Sequence, residues 1–362
     1  MSRLSLALLA FVPVSILGAR LGLPGWLVFF VSLVALVPLA ALIAEATDQI
    51  ALRQGPRVGG LLSATFGNVP DVLVGYYGVR AGLIGFVKAT LIGGLISNSG
   101  FIVGLSFLVA GLRYGFPRFD ARDAGHHSIL LILAVSGMLL PTVAFLSIPS
   151  PLAKDELSLT VSLILLVAYL AYLAFSVFGL VGRVTQPAPA DAGAAVQAEA
   201  AIVEPSEARW PVWLSVAVLL GATALLAPVT DALVGAVNPT IKALGWTDVF
   251  AGMVFVANAS NAAELYTAVT VARAGRLDLS LSVASGGSIQ IATFVTPLVV
   301  LISLFFTPMD LGFTATELAI VGVVVAIFSY VAHDGETNWL EGFQLLAVYV
   351  MSAAVFYFLP GA

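Results

Sequence analysis

Apolar residues run along this chain in long blocks, not in the alternating or one-sided patterns of a soluble fold. A helix that crosses a bilayer needs about 20 mostly apolar residues. Eleven candidate blocks can be marked, near 4–20, 26–46, 58–79, 84–111, 127–147, 157–181, 210–231, 246–272, 278–305, 314–332 and 342–359. Short connections rich in Gly or Pro separate several of them, as at 22–25, 149–151 and 307–310. The first block, with Arg3 before it and Gly18 and Ala19 behind, also fits a secretory signal. A first spanning helix is preferred because so many spans follow, and both readings stand at this point. Residues 183–209 break the pattern with Pro187, Pro189, Asp191, Glu199, Glu204 and Glu207. A linker of that kind does not sit in hydrocarbon. The chain therefore divides into an extra helix at 1–25, a five-helix unit at 26–182, the linker at 183–209, and a second five-helix unit at 210–362.

Composition supports a membrane solvent. Hydrophobic residues make up 60% of the 362 and charged residues 10%, against about a quarter charged in soluble domains. The mean hydropathy of +1.06 covers the whole length. Cysteine is absent, which removes disulfides, thiol catalysis and cysteine zinc sites. A net charge of -5 speaks against nucleic acid as a partner. Numbered alternately, one side of the spans receives Arg3, Arg53, Arg57, Arg113, Arg118, Arg122, Arg183, Arg209, Arg273 and Arg276. The other receives Arg20, Arg80, Lys154 and Lys242. The positive-inside rule then places the N-terminus and linker in the cytoplasm and the C-terminus outside, in a prokaryotic plasma membrane.

The chain repeats itself. A shift of 193 residues brings Asn68 onto Asn261, Asp71 onto Glu264, Arg80-Ala81-Gly82 onto Arg273-Ala274-Gly275, Gly93-Gly94 onto Gly286-Gly287, and Ile96 onto Ile289. Most of the matches fall on polar and glycine positions, where chance apolar identity does not operate. The copies begin five helices apart, so they face opposite ways across the membrane. The sequence therefore predicts an all-α membrane protein of about 11 transmembrane helices, arranged 1+5+5, with two inverted-topology repeats. Such repeats place a transport site near the midplane, where helices are interrupted.

Asp71 and Glu264 are the candidates for the chemistry. A charge at the centre of a span costs roughly 2.5–3.5 kcal/mol on insertion scales, so such residues usually face a cavity or a partner. A buried acid that only locks helices together is the bland alternative, and two acids at equivalent positions weaken it. Pro70 lacks an N–H and frees a carbonyl near Phe66. Freed carbonyls and the oxygens of Asn68 and Asn261 are hard ligands suited to Ca2+, Mg2+ or Na+. Ser97 and Asn98, and Ser288 and Gln290, lie on the next helix of each copy and are expected to line the same site. A carboxylate that binds a cation also binds protons, and that competition suffices for exchange if the site alternates between faces. Other features are weaker. His126 and His127 read as a solvated loop, and His333, Asp334, Glu336 and Glu341 as a charged loop with a metal site as the minor reading. No phosphate loop, dinucleotide fingerprint or nucleophile elbow is visible, so an enzyme is not expected.

These motifs resemble a known family. Gly67-Asn68-x-x-Asp71, Ser97-Asn98, Asn261-Ala262-Ala263-Glu264 and Gly287-Ser288-Ile289-Gln290-Ile291-Ala292 are similar to the paired signature regions of the calcium/cation–proton exchanger (CAX) family. The stretches 267–272, 294–297 and 334–342 add to the likeness, which runs from about residue 28 to the end. The resemblance implies an eleven-helix fold and Ca2+/H+ exchange with the two acids as carriers. Nothing is then bound permanently, and the partners are inorganic cations, protons and the lipid bilayer. The chain departs from the family pattern at Asp71 (usually Glu), Pro70, Ser260, Leu265 and Lys88 (usually Gln). A charged Lys88 paired with Asp71 would reduce the site charge from -2 to -1 and favour Na+ or K+ over Ca2+. A neutral Lys88, or one that snorkels to the outer interface, would not. A fold that has lost transport and serves as a scaffold or sensor is the reading from another class.

Overall fold

The computed structural model describes residues 7–178 and 210–358. Arg3 and the linker expected at 183–209 lie outside the described residues. Among the described residues the chain is helical, and its only β pairing is an isolated bridge between Arg118 and Glu336. The helices are α1 (Phe11–Arg20), α2 (Gly25–Gln54), α3 (Pro56–Phe66), α4 (Val69–Arg80), α5 (Ile84–Tyr114), α6 (Ala121–Phe145) and α7 (Pro151–Phe178). After the linker come α8 (Val212–Leu244), α9 (Asp248–Ser260), α10 (Ala262–Arg273), α11 (Leu277–Ser303), α12 (Ala315–Val331) and α13 (Trp339–Phe358).

Over the described residues, all eleven apolar blocks fall on helix. Seven described helices are long and apolar enough to cross a membrane by length and composition: α2, α5, α6, α7, α8, α11 and α13. The other four blocks are the short helices α1 and α12 and two broken pairs, α3/α4 and α9/α10. In an apolar solvent a backbone must satisfy its own hydrogen bonds, which is why blocks of this composition become helices. Their hydroxyls follow the same rule. In α8, Thr230 and Thr240 donate back to the Leu226 and Ala236 carbonyls at 2.9 and 2.7 Å.

The repeat is visible element by element. α4 and α10 begin and end at the same positions once 193 residues are added, and α5 and α11 begin together at Ile84 and Leu277. Gly82 and Gly275, in the turns between them, both carry a positive φ, +73° and +82°. That left-handed backbone is why the Arg-Ala-Gly match ends on glycine in both copies. Both long helices then widen into a π-helical turn, at Ser97–Ile102 in α5 and Ile291–Val295 in α11.

The copies are inverted. The Tyr114 hydroxyl donates to the Arg273 carbonyl at 3.0 Å, so the C-terminal ends of α5 and α10 share one end of the bundle. α4 turns tightly into α5, which leaves Arg80 at the opposite end. One asymmetry stands out. α9 carries a further π-helical turn at Ala251–Val256, whereas the equivalent stretch of α3 is a regular helix.

One expectation is corrected. α6 starts at Ala121, not 127, and this turns the predicted His126–His127 loop into helix. His126 is exposed, but His127 is buried with its ring nitrogen 3.4 Å from the Ser282 hydroxyl of α11.

Candidate functional site

Each acid sits in the first turn of a helix that begins inside the bundle. α3 stops at Phe66, Asn68 takes φ -90° and ψ 1°, and α4 starts at Val69. α9 stops at Ser260, Asn261 takes φ -88° and ψ 11°, and α10 starts at Ala262. Both asparagines thus occupy the sparsely allowed bridge region, as active-site residues often do. Pro70 fits this arrangement, because an N–H in the first helical turn has no partner in its own helix. Asp71 and Glu264 are therefore the third residues of α4 and α10. Asp71 is 8% exposed and Glu264 is half-buried.

Amides and hydroxyls join the two breaks. Asn68 Nδ2 donates to the Ala64 carbonyl at 3.1 Å and to Gln290 Oε1, on α11, at 2.5 Å. Asn261 Nδ2 donates to Asn98 Oδ1, on the π turn of α5, at 3.2 Å. Each break thus bonds to the following helix of the opposite copy. Ser97 Oγ donates to Asn258 Oδ1 at 2.7 Å, and the Ser99 and Ser288 hydroxyls lie 3.0 Å apart. The Ser260 hydroxyl donates to the Ala257 carbonyl at 3.1 Å and stands beside the Asp71 carboxyl group. All eight expected residues, Asp71, Glu264, Asn68, Asn261, Ser97, Asn98, Ser288 and Gln290, converge where the broken helices cross α5 and α11.

The paired glycines allow this convergence. The Glu264 carboxylate and Asn98 Nδ2 lie over Gly287, where an added Cβ would fall under 3.0 Å from both. Gly93 lies equally close to the backbone of Met253 in α9. A cleft lined by Ser63, Gly67, Glu264, Val283, Gly286, Gly287 and Gln290 reaches Glu264. Ser63 and Val283 lie on the side of the acid that leads to the bundle end carrying Arg113 and Arg273. Asp71 is not among its lining residues.

Lys88 is not brought to Asp71. Its ammonium bonds to Asp310 and to the Gly312 carbonyl, the latter at 2.6 Å, with the Phe313 ring centre 5.7 Å away. Only four residues into α5, it reaches outward to the connection between α11 and α12, as a snorkelling lysine does. The expected acidic loop before the last helix is structural. Glu341 accepts from Thr337 and Asn338 at 2.9 and 2.8 Å, and Glu336 lies 3.6 Å from Arg118. Among the described residues no group of three His, Cys, Asp or Glu could hold a metal.

Sequence reasoning did not count Ser260, Asn258 or Ser99 among the site residues. Ser260 and Asn258 stand in the same short polar run as Asn261, which was signal enough. Ser99 follows directly on the expected Ser97-Asn98 pair.

Comparisons with known proteins identify the family and the fold. The family model described as sodium/calcium exchanger protein matches residues 24–178 and 214–358. A Ca(2+)/H(+) antiporter of Aphanothece halophytica is 37% identical over 98% of this chain and 96% of its own. The Ca(2+)/H(+) antiporter ChaA of Bacillus subtilis is 35% identical over 96% of this chain and 97% of its own. Among solved structures, native YfkE superposes with a TM-score of 0.83 at 32% identity, covering 98% of this chain and 100% of that one. An H+/Ca2+ exchanger CAX shares the fold, with a TM-score of 0.69 at 16% identity over 98% of this chain and 91% of that one.

Proposed function

This chain belongs to the sodium/calcium exchanger protein family, and we propose that it is a secondary active antiporter exchanging Ca2+ for H+. The observation that carries the reading is the pair Asp71 and Glu264. Each stands in the first turn of a half-helix, in inverted copies, and each break is tied to the opposite copy by amide hydrogen bonds. Full-length relatives whose names specify Ca2+/H+ exchange, at 35% and 37% identity, supply the ion.

The chemistry follows from charge. Two ionised carboxylates carry -2. One Ca2+ or two protons cancel that charge, so either load leaves the centre of the bundle neutral, whereas the empty ionised site is costly in hydrocarbon. Ca2+ and protons compete for the same oxygens. Asn68, Asn261, Ser97, Asn98, Ser288 and Gln290 supply neutral oxygens or orient the acids. The argument for Na+ or K+ rested on Lys88 lowering the site charge, and Asp310 holds that ammonium instead. Loop charge supports an N-terminus in the cytoplasm of a plasma membrane and a C-terminus outside, and on that reading the cleft at Glu264 lies towards the cytoplasmic side.

The test is flux in sealed vesicles bearing a pH gradient. Wild type is expected to move Ca2+ against protons, and Glu264→Gln and Asp71→Asn are each expected to abolish it. Proton-independent flux, or full activity in either variant, would sink the proposal.

A further inference from the structure

Two tyrosines outside this residue set occupy repeat-related places. Tyr169 of α7 is 3% exposed, stacks on Phe294 with ring centres 4.9 Å apart, and donates its hydroxyl to the Ala64 carbonyl at 2.9 Å. Tyr349 of α13 is 6% exposed, lies on Phe101 at 5.0 Å, and accepts from Asn258 Nδ2 at 2.5 Å. Phe101 and Phe294 are the same position of the repeat, and each lies in a π-helical turn. Ala64 and Asn258 fall one position apart on the same register. The last helix of each five-helix unit therefore carries a tyrosine with two attachments. Its ring holds the π turn of the opposite copy, and its hydroxyl holds the broken helix of its own.

Ring packing alone needs no hydroxyl, and a buried hydroxyl is costly unless it is paired. Both hydroxyls spend their bonds one step from the ion site. The Ala64 carbonyl also receives Asn68 Nδ2 at 3.1 Å, and Asn258 Oδ1 receives Ser97 Oγ at 2.7 Å. We propose that Tyr169 and Tyr349 are paired positioning residues for cation exchange, fixing the orientations of Asn68 and of the Asn258–Ser97 pair. The inference rests on the reading of Asp71 and Glu264 as the carriers.

Tyr169→Phe and Tyr349→Phe keep the ring and remove only the hydroxyl. In reconstituted vesicles with an imposed pH gradient, each is expected to raise the apparent KM for Ca2+ about fivefold, the equivalent of one neutral hydrogen bond. Maximal rate and melting temperature should stay near wild type, as a loss confined to binding requires. Adding Tyr349→Phe to Asn258→Ala should cost nothing further, because the two act through one bond. Tyr330→Phe, at a side chain 76% exposed on α12, serves as the neutral control. An unchanged KM in both phenylalanine variants overturns the inference. So does strict additivity with Asn258→Ala, or a fall in maximal rate and melting temperature at constant KM. Glu264→Gln run alongside separates the two readings: full flux in that variant overturns the carrier assignment itself, and lost flux leaves the tyrosine result to be judged alone.

Discussion

Ser260, the last residue of α9, donates its hydroxyl to the Ala257 carbonyl at 3.1 Å with the Asp71 carboxyl group of α4 beside it, so the shorter acid has its hydroxyl neighbour on the opposite copy of the repeat. The equivalent of Ser260 in the first copy is Gly67, which lines the cleft beside Glu264 and has no hydroxyl to offer. The two carboxylates are thus equivalent in position and unlike in their neighbours. Ser260→Ala should weaken Ca2+ binding about tenfold, because the hydroxyl can turn from the Ala257 carbonyl to the ionised carboxylate and a hydrogen bond to a charged group is of that scale. Calcium titration of transport in vesicles reads this directly, and an unchanged KM would show that Asp71 does not depend on the contact.

Gly287→Ala places a methyl group where the Glu264 carboxylate and the Asn98 amide now lie. Overpacking of this kind costs about 1–3 kcal/mol when a neighbour must shift, and here the neighbours are the proposed ligands. The variant should insert and fold while losing at least tenfold in Ca2+ transport. Flux per molecule of purified, monodisperse protein is the measurement, and wild-type flux would mean that Glu264 is not confined against α11.

Lys88→Gln should leave Ca2+ selectivity unchanged, because the ammonium serves Asp310 and not the carboxylates. The pair is partly exposed, so its loss should cost about 1–2 kcal/mol, between the values for surface and buried bridges. A lower melting temperature in detergent, partly restored by adding Asp310→Asn, is the expected result. A gain of Ca2+ transport would return Lys88 to the ion site.

Acidifying the side from which Ca2+ loads should raise the apparent KM without lowering the maximal rate. Protonated carboxyls coordinate Ca2+ poorly, so affinity falls as pH falls, and saturating Ca2+ overcomes the effect. Uptake curves at several pH values decide this. A maximal rate that drops at constant KM would separate the proton site from the cation site.

Much of this architecture is legible in the sequence because the bilayer enforces simple rules. Blocks of apolar residues had to be helices, and Asn68 and Asn261 marked the breaks because polar residues in mid-span need a reason. The ungapped shift of 193 residues carried the register of α4, α5, α10 and α11 to the residue. What stayed hidden depends on long-range packing. Asp310 lies 222 residues from Lys88, and nothing local links them. His127 is buried because α6 begins early and packs on α11. The π turns have no residue signature of their own, so the tyrosines packed on them could not be foreseen.

From Asn68 to Ser97 is 29 residues, and so is Asn261 to Gln290. Each interval runs from a helix break, through a tight glycine turn, to the start of a widened turn. A helix rotates by about 100° per residue. Adding or deleting a single residue within either interval would swing the polar groups away from the opposite copy, whatever the inserted side chain. Apart from the acids, amides and glycines already named, these two stretches should therefore tolerate substitution but no change in length, which makes them rulers that set the distance between the halves of the exchanger.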